Sequence, residues 1–269
     1  MLEIKNVSKK FDFPDNFKVL EDINMTIRDK EFVCLLGPSG CGKTILLYLI
    51  AGFLNPTSGK ILYNGVEIEK PDAKRIMIFQ DLALFPWRTV YENILFGLKK
   101  SDFSAKQKKK MVLEYLSLMG LEEFSDWHPH MLSGGMKQKV AVARALISNP
   151  ELLLMDEPFA ALDPQYRKYL RKNLESIWQK SPKTVIFVTH SINEALYLAD
   201  SIHVFSGLPA KIKKTFKIDL ARPRDPLDPR YQKLFKDIEE SIAEEFDISM
   251  EKRLMLDRGL SNVLNKLKN

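Results

Sequence analysis

The sequence predicts an α/β fold built around a mostly parallel β-sheet, on two observations. Short apolar runs, typical of parallel strands buried on both faces, occur at 32–36, 76–79, 152–155 and 184–188. Stretches with helical spacing of apolar residues follow two of these runs, at 45–50 and within 90–149. Because glycine or a polar side chain comes directly after each run, ligand-binding groups are expected along the carboxyl edge of this sheet.

The first 30 residues predict a β-rich entry to this core, with strand-like stretches at 2–7 and 19–27. Three phenylalanines, Phe11, Phe13 and Phe17, lie between the two stretches. An aromatic ring at this place either stacks on the flat face of a nucleobase or packs into the core. The residues alone leave both alternatives open.

A glycine-rich loop follows the run 32–36 and reads G-x-x-x-x-G-K-[ST], the pattern of a phosphate-binding loop. Its glycines let backbone N–H groups surround phosphate oxygens, and the following helix adds positive potential at its N-terminus. Lys43 is expected to reach the outer phosphates of a nucleotide, and Thr44 to ligate Mg²⁺. The predicted phosphate-binding residues are Gly37, Pro38, Ser39, Gly40, Cys41, Gly42, Lys43 and Thr44.

The two cysteines, Cys34 and Cys41, are too few for a disulfide framework or a cysteine metal cluster. Both are predicted to be free thiols. Cys41 has two interpretations: a reactive thiol whose pKa is lowered by Lys43 and a helix N-terminus, or a small buried filler.

Gln80 follows the run 76–79, where a side-chain amide either contacts Mg²⁺ and an attacking water or merely ends the strand. Trp87 comes soon after, beside a proline, and is either a surface contact or a core anchor. Residues 90–149 are then predicted to be mostly helical. One of the helices is expected to have Ser104 as its N-cap and Gly120 at its end.

A second anion site is predicted at Ser133, Gly134 and Gly135, which open a helix with an apolar stripe. Ser133 is the natural N-cap, and the two glycines leave backbone N–H groups accessible at the helix N-terminus. A simple capped helix explains the serine well and the paired glycines poorly.

Two adjacent carboxylates, Asp156 and Glu157, follow the run 152–155, at the edge where α/β sheets bind ligands. Successive strand side chains point in opposite directions, so the two acids are expected to have different roles. Asp156 suits Mg²⁺, and Glu157 suits orienting and deprotonating a water. His190 follows the run 184–188 at the same edge and is a candidate phosphate contact; His128, His130 and His203 are assigned no chemistry.

Beyond Gly207 the composition changes to a charged, proline-punctuated stretch followed by two amphipathic patterns. The first pattern runs from Tyr231 to Phe246, and the second from Leu256 to Leu267. These predicted helices either pack on the core, pair with a second subunit or gate activity.

The composition is that of a globular protein of 269 residues, with 45% hydrophobic and 28% charged residues. No apolar run approaches the ~20 residues that a membrane span needs, and the N-terminus lacks a signal-peptide core. We therefore predict a cytoplasmic protein with at most peripheral membrane contact. The net charge of +6 suits an anionic membrane or nucleic acid, although the lysine run at 106–110 is typical of a solvated helix face.

Taken together, these motifs resemble the ATP-binding cassette (ABC) ATPase family over residues 1–206. The most specific is Leu132-Ser133-Gly134-Gly135-Met136-Lys137-Gln138, which looks like the family signature and distinguishes it from other P-loop NTPases. The resemblance implies a P-loop NTPase core with an N-terminal antiparallel β subdomain and a helical subdomain. The implied division is a catalytic core with the β subdomain at 1–89 and 150–206, a helical signature subdomain at 90–149, and a C-terminal extension at 207–269.

The resemblance also implies that two subunits meet head to tail in a homodimer, with ATP between one phosphate loop and the other subunit's signature. Phe11 becomes the leading candidate for adenine stacking, and Asp163 a dimer contact. By the same resemblance, Glu157 is the general base and His190 senses the γ-phosphate. Gln80 couples the nucleotide state to a membrane partner.

Within the family, the stretch from Phe79 to Asn93 looks like the nitrate, sulfonate and taurine importers, and Arg222-Pro223-Arg224 is similar to their C-terminal region. Lys139 departs from the arginine usual after the signature: it keeps the charge but lacks the planar fork of a bidentate contact. The implied partners are a polytopic permease, contacted near residues 80–87 at the cytoplasmic membrane face, and indirectly an extracytoplasmic solute-binding protein.

Two other functions compete with this prediction. A nucleic-acid ATPase would suit the basic charge, but such relatives carry long coiled coils or zinc modules, and two cysteines cannot form a four-thiolate zinc site. An exporter or lipid-transport ATPase is disfavoured only by the resemblance around Trp87. We therefore predict an importer ATPase that uses ATP and Mg²⁺ and has no nucleic-acid partner.

Overall fold

The computed structural model describes residues 1–11, 17–160, 162 and 164–243. Three sequence predictions lie outside the described residues: Phe13, Asp163 and the helix at 256–267. The first amphipathic pattern is described only as far as residue 243.

Ten strands are described: β1 (Leu2–Phe11), β2 (Phe17–Ile27), β3 (Phe32–Leu36), β4 (Ser58–Tyr63), β5 (Val66–Glu67), β6 (Arg75–Ile78), β7 (Leu152–Asp156), β8 (Thr184–Val188), β9 (Ser201–Phe205) and β10 (Ile212–Lys217). The helices are α1 (Lys43–Ala51), α2 (Val90–Phe96), α3 (Ala105–Met119), α4 (Gly134–Ile147), α5 (Pro164–Lys180), α6 (Ile192–Leu198) and α7, at 229–243. None of the helices in the described ranges has the length and apolarity of a membrane span.

The larger sheet has the strand order β10-β9-β3-β8-β7-β6, and every neighbouring pair is parallel except β10 with β9. Its central strands are fully buried, which explains their unbroken apolar sequences. Alternate residues pack on opposite faces: Cys34 and Leu36 join one core cluster, Val33 and Leu35 the other. The predicted α/β fold with a mostly parallel sheet is confirmed.

The smaller sheet is antiparallel, with the order β2-β1-β4-β5. Its inward side chains share a core cluster with α1 and with one face of the larger sheet. Helices α2, α3 and α4 contribute to the cluster on the other face. The parallel sheet therefore lies between an antiparallel layer and a helical layer, as the fold prediction requires.

Local sequence signals mark the starts of α2 and α3 and the end of α3. Thr89 and Ser104 each form a capping box, with Glu92 and Gln107 respectively, at the starts of α2 and α3. Gly120 ends α3 in the left-handed conformation at φ 61°. The predicted Ser104 cap and Gly120 terminus are confirmed.

The chain beyond residue 206 contributes to the same core. Strand β10 pairs with β9 at the edge of the larger sheet. It was not predicted, because its lysine-rich sequence, typical of an edge strand, lacks an apolar run. Tyr231, Ile238 and Ile242 of α7 are buried in the helical-side core cluster. Of the alternatives for this first amphipathic stretch, packing is therefore the one observed, while the domain boundary at 206 stays a prediction.

Candidate nucleotide-binding site

A cavity of about 320 Å³ opens where the phosphate loop meets the antiparallel layer. The loop after β3, the acids at the end of β7 and the segment after β8 share one edge because these strands are parallel and adjacent. Gly40, Gly42, Lys43, Thr44 and Glu157 line the cavity on its polar side. Its apolar side is formed by Phe11, Phe17, Val19, Ile45 and Leu208.

Gly42 shows why the phosphate loop needs glycine. Its φ is +109°, and a Cβ there would lie 2.8 Å from Cγ1 of Val19, which is closer than carbon atoms can pack. Any side chain would therefore strain the backbone and push the loop away from β2.

The ammonium group of Lys43 lies inside the phosphate loop. Its Nζ donates hydrogen bonds to the carbonyl oxygens of Gly37 at 2.9 Å and Pro38 at 2.8 Å, and the residue is only 4% exposed. Its Nζ also contacts Sγ of Cys41 at 3.7 Å. Among the described residues it forms no ion pair, so only neutral acceptors stabilise this buried positive charge. An anionic oxygen in the loop would supply the opposite charge that these neutral acceptors lack.

Thr44 and Asp156 meet directly, as expected for residues that share a cation. The hydroxyl of Thr44 donates a hydrogen bond to Oδ1 of Asp156 at 3.1 Å, and Asp156 is 3% exposed. Burial raises the pKa of Asp156, the Thr44 hydrogen bond lowers it, and the charge of Glu157 raises it again. Hydroxyl and carboxylate oxygens suit a hard divalent cation, which would also favour the ionised carboxylate, so the pair fits Mg²⁺.

Glu157 and His190 form the second polar pair at this edge. Nδ1 of His190 lies 3.4 Å from Oε2 of Glu157, with the histidine side chain half exposed. Glu157 adopts a φ of +44°, uncommon for a glutamate, and its backbone N–H bonds to the Val188 carbonyl. The turn thereby directs Glu157 into the cavity, away from the buried Asp156 next to it.

Two predicted groups lie away from this cavity in the same chain. Gln80 is exposed in the turn after β6 and is not among the lining residues. Ser133 caps α4 by accepting a hydrogen bond from the Met136 N–H, but it and Gly134 are exposed on the helical layer. One chain therefore does not bring the signature turn to its own phosphate loop.

The interpretation of Cys41 as a thiol with a lowered pKa is wrong. Cys41 is 2% exposed, and its burial raises the pKa of the thiol more than the nearby Lys43 lowers it. Desolvation disfavours a thiolate, so the alternative of a small buried filler is the one observed. Cys34 is also a buried free thiol, as predicted.

Some residues of the site were not found from sequence. Thr189 donates a 2.6 Å hydrogen bond to Glu194 and accepts one from the Ser191 N–H, which fixes the turn that holds His190. Leu208 reaches the cavity from the β9–β10 connection. A threonine before and a glutamate after the histidine gave a weak signal, and Leu208 gave none, because its role depends on β10 folding back.

The chain is similar to known proteins. The ABC transporter family model matches residues 20–160. A taurine import ATP-binding protein of Pelagibacter ubique is 43% identical over 219 residues, covering 81% of this chain and 83% of that protein. A nitrate import ATP-binding protein of Synechococcus elongatus is 40% identical over 236 residues, covering 85% and 86% respectively.

Among solved structures, a dimeric ATP-binding cassette in a post-hydrolysis state, bound to ADP and Pi, superposes with a TM-score of 0.73. It is 31% identical, and the match covers 82% of this chain and 100% of that one. The family model matches more than half of the chain, and the relatives are 40% identical or more over most of it. The phosphate loop, the Thr44–Asp156 pair and the Glu157–His190 pair share one edge of the sheet, and the chain therefore belongs to the ABC transporter family as one of its ATPases.

Proposed function

We propose that this ATPase energises an importer, coupling ATP binding and hydrolysis between two copies of the chain to solute uptake through a separate permease. The observation that carries the proposal is the separation of two anion-binding elements. The phosphate loop lies in the cavity, whereas Ser133 and Gly134 lie exposed outside it. A second copy, arranged head to tail, would supply the missing half of each site.

In this proposal, ATP binds along the cavity with its base near β1 and β2 and its phosphates on the loop. Phe11 and Phe17, paired across the two strands, line the same cavity as Glu157 and offer rings for the adenine to stack on. Lys43 exchanges the Gly37 and Pro38 carbonyls for the outer phosphates. The other loop residues, Ser39, Gly40, Cys41, Gly42 and Thr44, provide backbone N–H groups.

Thr44 and Asp156 would hold Mg²⁺, with Gln80 as a further oxygen ligand when the loop after β6 closes. The ion supplies charge neutralisation on the phosphates. Glu157 accepts a proton from the attacking water, and His190 contacts the γ-phosphate and keeps Glu157 in place. Catalysis then consists mainly of positioning and charge stabilisation, as phosphoryl transfer generally requires.

The second copy would place its Ser133, Gly134 and Gly135 on the γ-phosphate. Their positions at the N-terminus of a 14-residue helix provide free N–H groups and positive potential for this contact. Asp163 would contribute to the same dimer contact. A closed site therefore requires ATP and two chains.

The permease is proposed to contact the surface that begins at Gln80 and ends at Trp87. Trp87 is 71% exposed, and its ring packs at a tilt on Phe85 with 5.6 Å between the ring centres, which leaves a large aromatic surface in solvent. A groove of about 800 Å³ lies next to this loop, between β6 and helices α2, α3 and α4, with mostly apolar walls. A cytoplasmic helix of the permease fits such a groove, and would place the chain peripherally at the cytoplasmic membrane face.

The solute is proposed to be a small anion or related organic solute, by analogy with the taurine and nitrate relatives. It would be selected by the permease and by an external solute-binding protein. Nucleic acid is not a proposed partner.

Purification of the native chain from membranes in mild detergent tests this function. We expect a polytopic membrane protein to co-purify and the complex to hydrolyse ATP. A Trp87→Ala variant, compared with Trp127→Ala on the helical layer, should lose the membrane protein while retaining basal hydrolysis. ATPase activity without any membrane partner, stimulated by double-stranded DNA, would replace the importer with a nucleic-acid function.

A further inference from the structure

The loop between β6 and α2, residues 79–89, contains an unusual backbone. Leu82 and Ala83 have φ values of +59° and +44°. They are the only consecutive pair of non-glycine residues with positive φ in the described chain. Apolar L-residues avoid this region because Cβ crowds the backbone, so contacts from outside the loop must hold the conformation.

Arg144 supplies these contacts from α4. Its Nη1 donates a hydrogen bond to the Ala83 carbonyl at 2.8 Å, and its Nη2 donates one to the Leu82 carbonyl at 2.9 Å. The guanidinium also lies 5.4 Å from the centre of the Phe85 ring. Among the described residues it has no carboxylate partner, so both charge-assisted hydrogen bonds go to the two strained residues.

The other end of the loop is held by α2. The buried Asn93 side chain accepts a hydrogen bond from the Phe85 N–H at 2.9 Å and donates to the carbonyls of Phe85, Arg88 and Thr89. Arg144 and Asn93 thus attach both halves of the loop to the helical layer. The loop is expected to follow the helices when they move relative to the sheet.

Arg144 also has a defined place relative to the signature turn. It lies ten residues after Gly134 on the same helix, which corresponds to roughly 15 Å along the axis. One rigid helix therefore carries the exposed signature turn at its start and the contact to the Gln80 loop near its end.

We propose that Arg144 is a positioning residue that holds the loop carrying Gln80 in its strained conformation and attaches this loop to α4. This inference rests on the proposed function. When ATP draws the signature turn of one chain onto the partner's phosphate loop, the loop in this conformation, which Asn93 also attaches to the helical layer, carries Gln80 of its own chain with the helices. Its effect is on turnover and not on the initial binding of ATP.

A double-mutant cycle on the full-length chain tests this role. Arg144→Met keeps a long side chain against Phe85 but removes both donors, and we expect kcat to fall about tenfold with the KM for ATP within about twofold. Glycine adopts positive φ without penalty. We therefore expect the triple variant, with Arg144→Met, Leu82→Gly and Ala83→Gly, to have a kcat within about threefold of that of the variant with the two glycines alone.

Arg88→Met is the matched control, because Arg88 stacks on the same Phe85 ring at 5.2 Å without bonding the Leu82 or Ala83 carbonyls. The Arg88→Met variant should keep the basal kcat. Arg144→Lys cannot present two parallel donors, so its kcat should lie between those of the wild type and Arg144→Met. An unchanged kcat in Arg144→Met, or a loss that the glycines leave in place, would overturn the inference. If Arg144→Met does not fold, the cycle is run with Arg144→Lys. A loss of kcat in Arg144→Lys that the two glycines do not restore would likewise overturn the inference.

Wild-type turnover in the same assay separates the two conclusions. A wild-type chain that does not hydrolyse ATP would contradict the proposed function. An active wild type with an equally active Arg144→Met variant would contradict only the role of Arg144.

Discussion

The two edges of the parallel sheet both carry charged side chains, but they use them differently. At the carboxyl edge, the polar partners of Lys43 among the described residues are neutral groups of its own loop, and Glu157 sits at a positive φ beside a half-exposed histidine. At the amino edge, a further cavity of about 650 Å³ is lined by residues that include Tyr63, Glu151 and Lys183. Here the side chains satisfy one another.

At the amino edge, the charged side chains of Glu151 and Lys183 have polar side-chain partners. Glu151 pairs with Lys74 at 3.0 Å and accepts a hydrogen bond from the Tyr63 hydroxyl at 3.3 Å. Lys183 bonds to the Asn149 side chain. Burial, together with Glu151, raises the pKa of Tyr63 to about 12, so it remains a neutral donor. Charged residues in a cavity are therefore insufficient evidence for function. The carboxyl edge differs in two features: the buried Lys43 has no carboxylate partner among the described residues, and Glu157 is held at a positive φ.

The largest expected difference in ATP hydrolysis is between variants of the two glutamates, Glu157 at the carboxyl edge and Glu151 at the amino edge. Glu157→Gln should bind ATP but lose hydrolysis by about a hundredfold to a thousandfold, because the proton acceptor for water is removed. It should accumulate as a nucleotide-bound dimer in size-exclusion chromatography with ATP and Mg²⁺.

Glu151→Gln is the matched control at the amino edge. Its carboxylate is partly exposed, so we expect normal turnover and a loss of about 1 kcal/mol or less in the free energy of unfolding. Normal turnover in Glu157→Gln, or lost turnover in Glu151→Gln, would invert the comparison.

The lysines of the two edges provide the next test. Lys43→Ala should weaken ATP binding by about tenfold to a hundredfold, measured by titration of a fluorescent nucleotide, because the outer phosphates lose a charge-assisted contact. Lys183→Ala should leave that titration unchanged. Equal titration curves for wild type and Lys43→Ala would remove Lys43 from the phosphate site.

The smallest effect concerns Cys41 within the carboxyl edge itself. Since the thiol is buried and its pKa is raised, we expect a thiol reagent at neutral pH to label the native protein slowly. Labelling should reach two thiols per chain only after unfolding. Rapid native labelling that ATP suppresses would restore the interpretation of Cys41 as a reactive thiol.

The sequence by itself determined the elements with short-range causes. Buried strands appear as unbroken apolar runs, and capped helices as Ser104 or Thr89 followed three residues later by glutamine or glutamate. The phosphate loop and the acids at the end of β7 were predictable for the same reason, since their spacing along the chain is the geometry that their chemistry needs.

Only the tertiary structure decided which of these groups meet and in what electrostatic surroundings. The burial that makes Cys41 unreactive, the pairing of lysine-rich β10 with β9, and the contact of Arg144 with Leu82 and Ala83 all join residues distant in sequence. Local pattern cannot encode them, because desolvation and long-range hydrogen bonding depend on the packing of the whole chain.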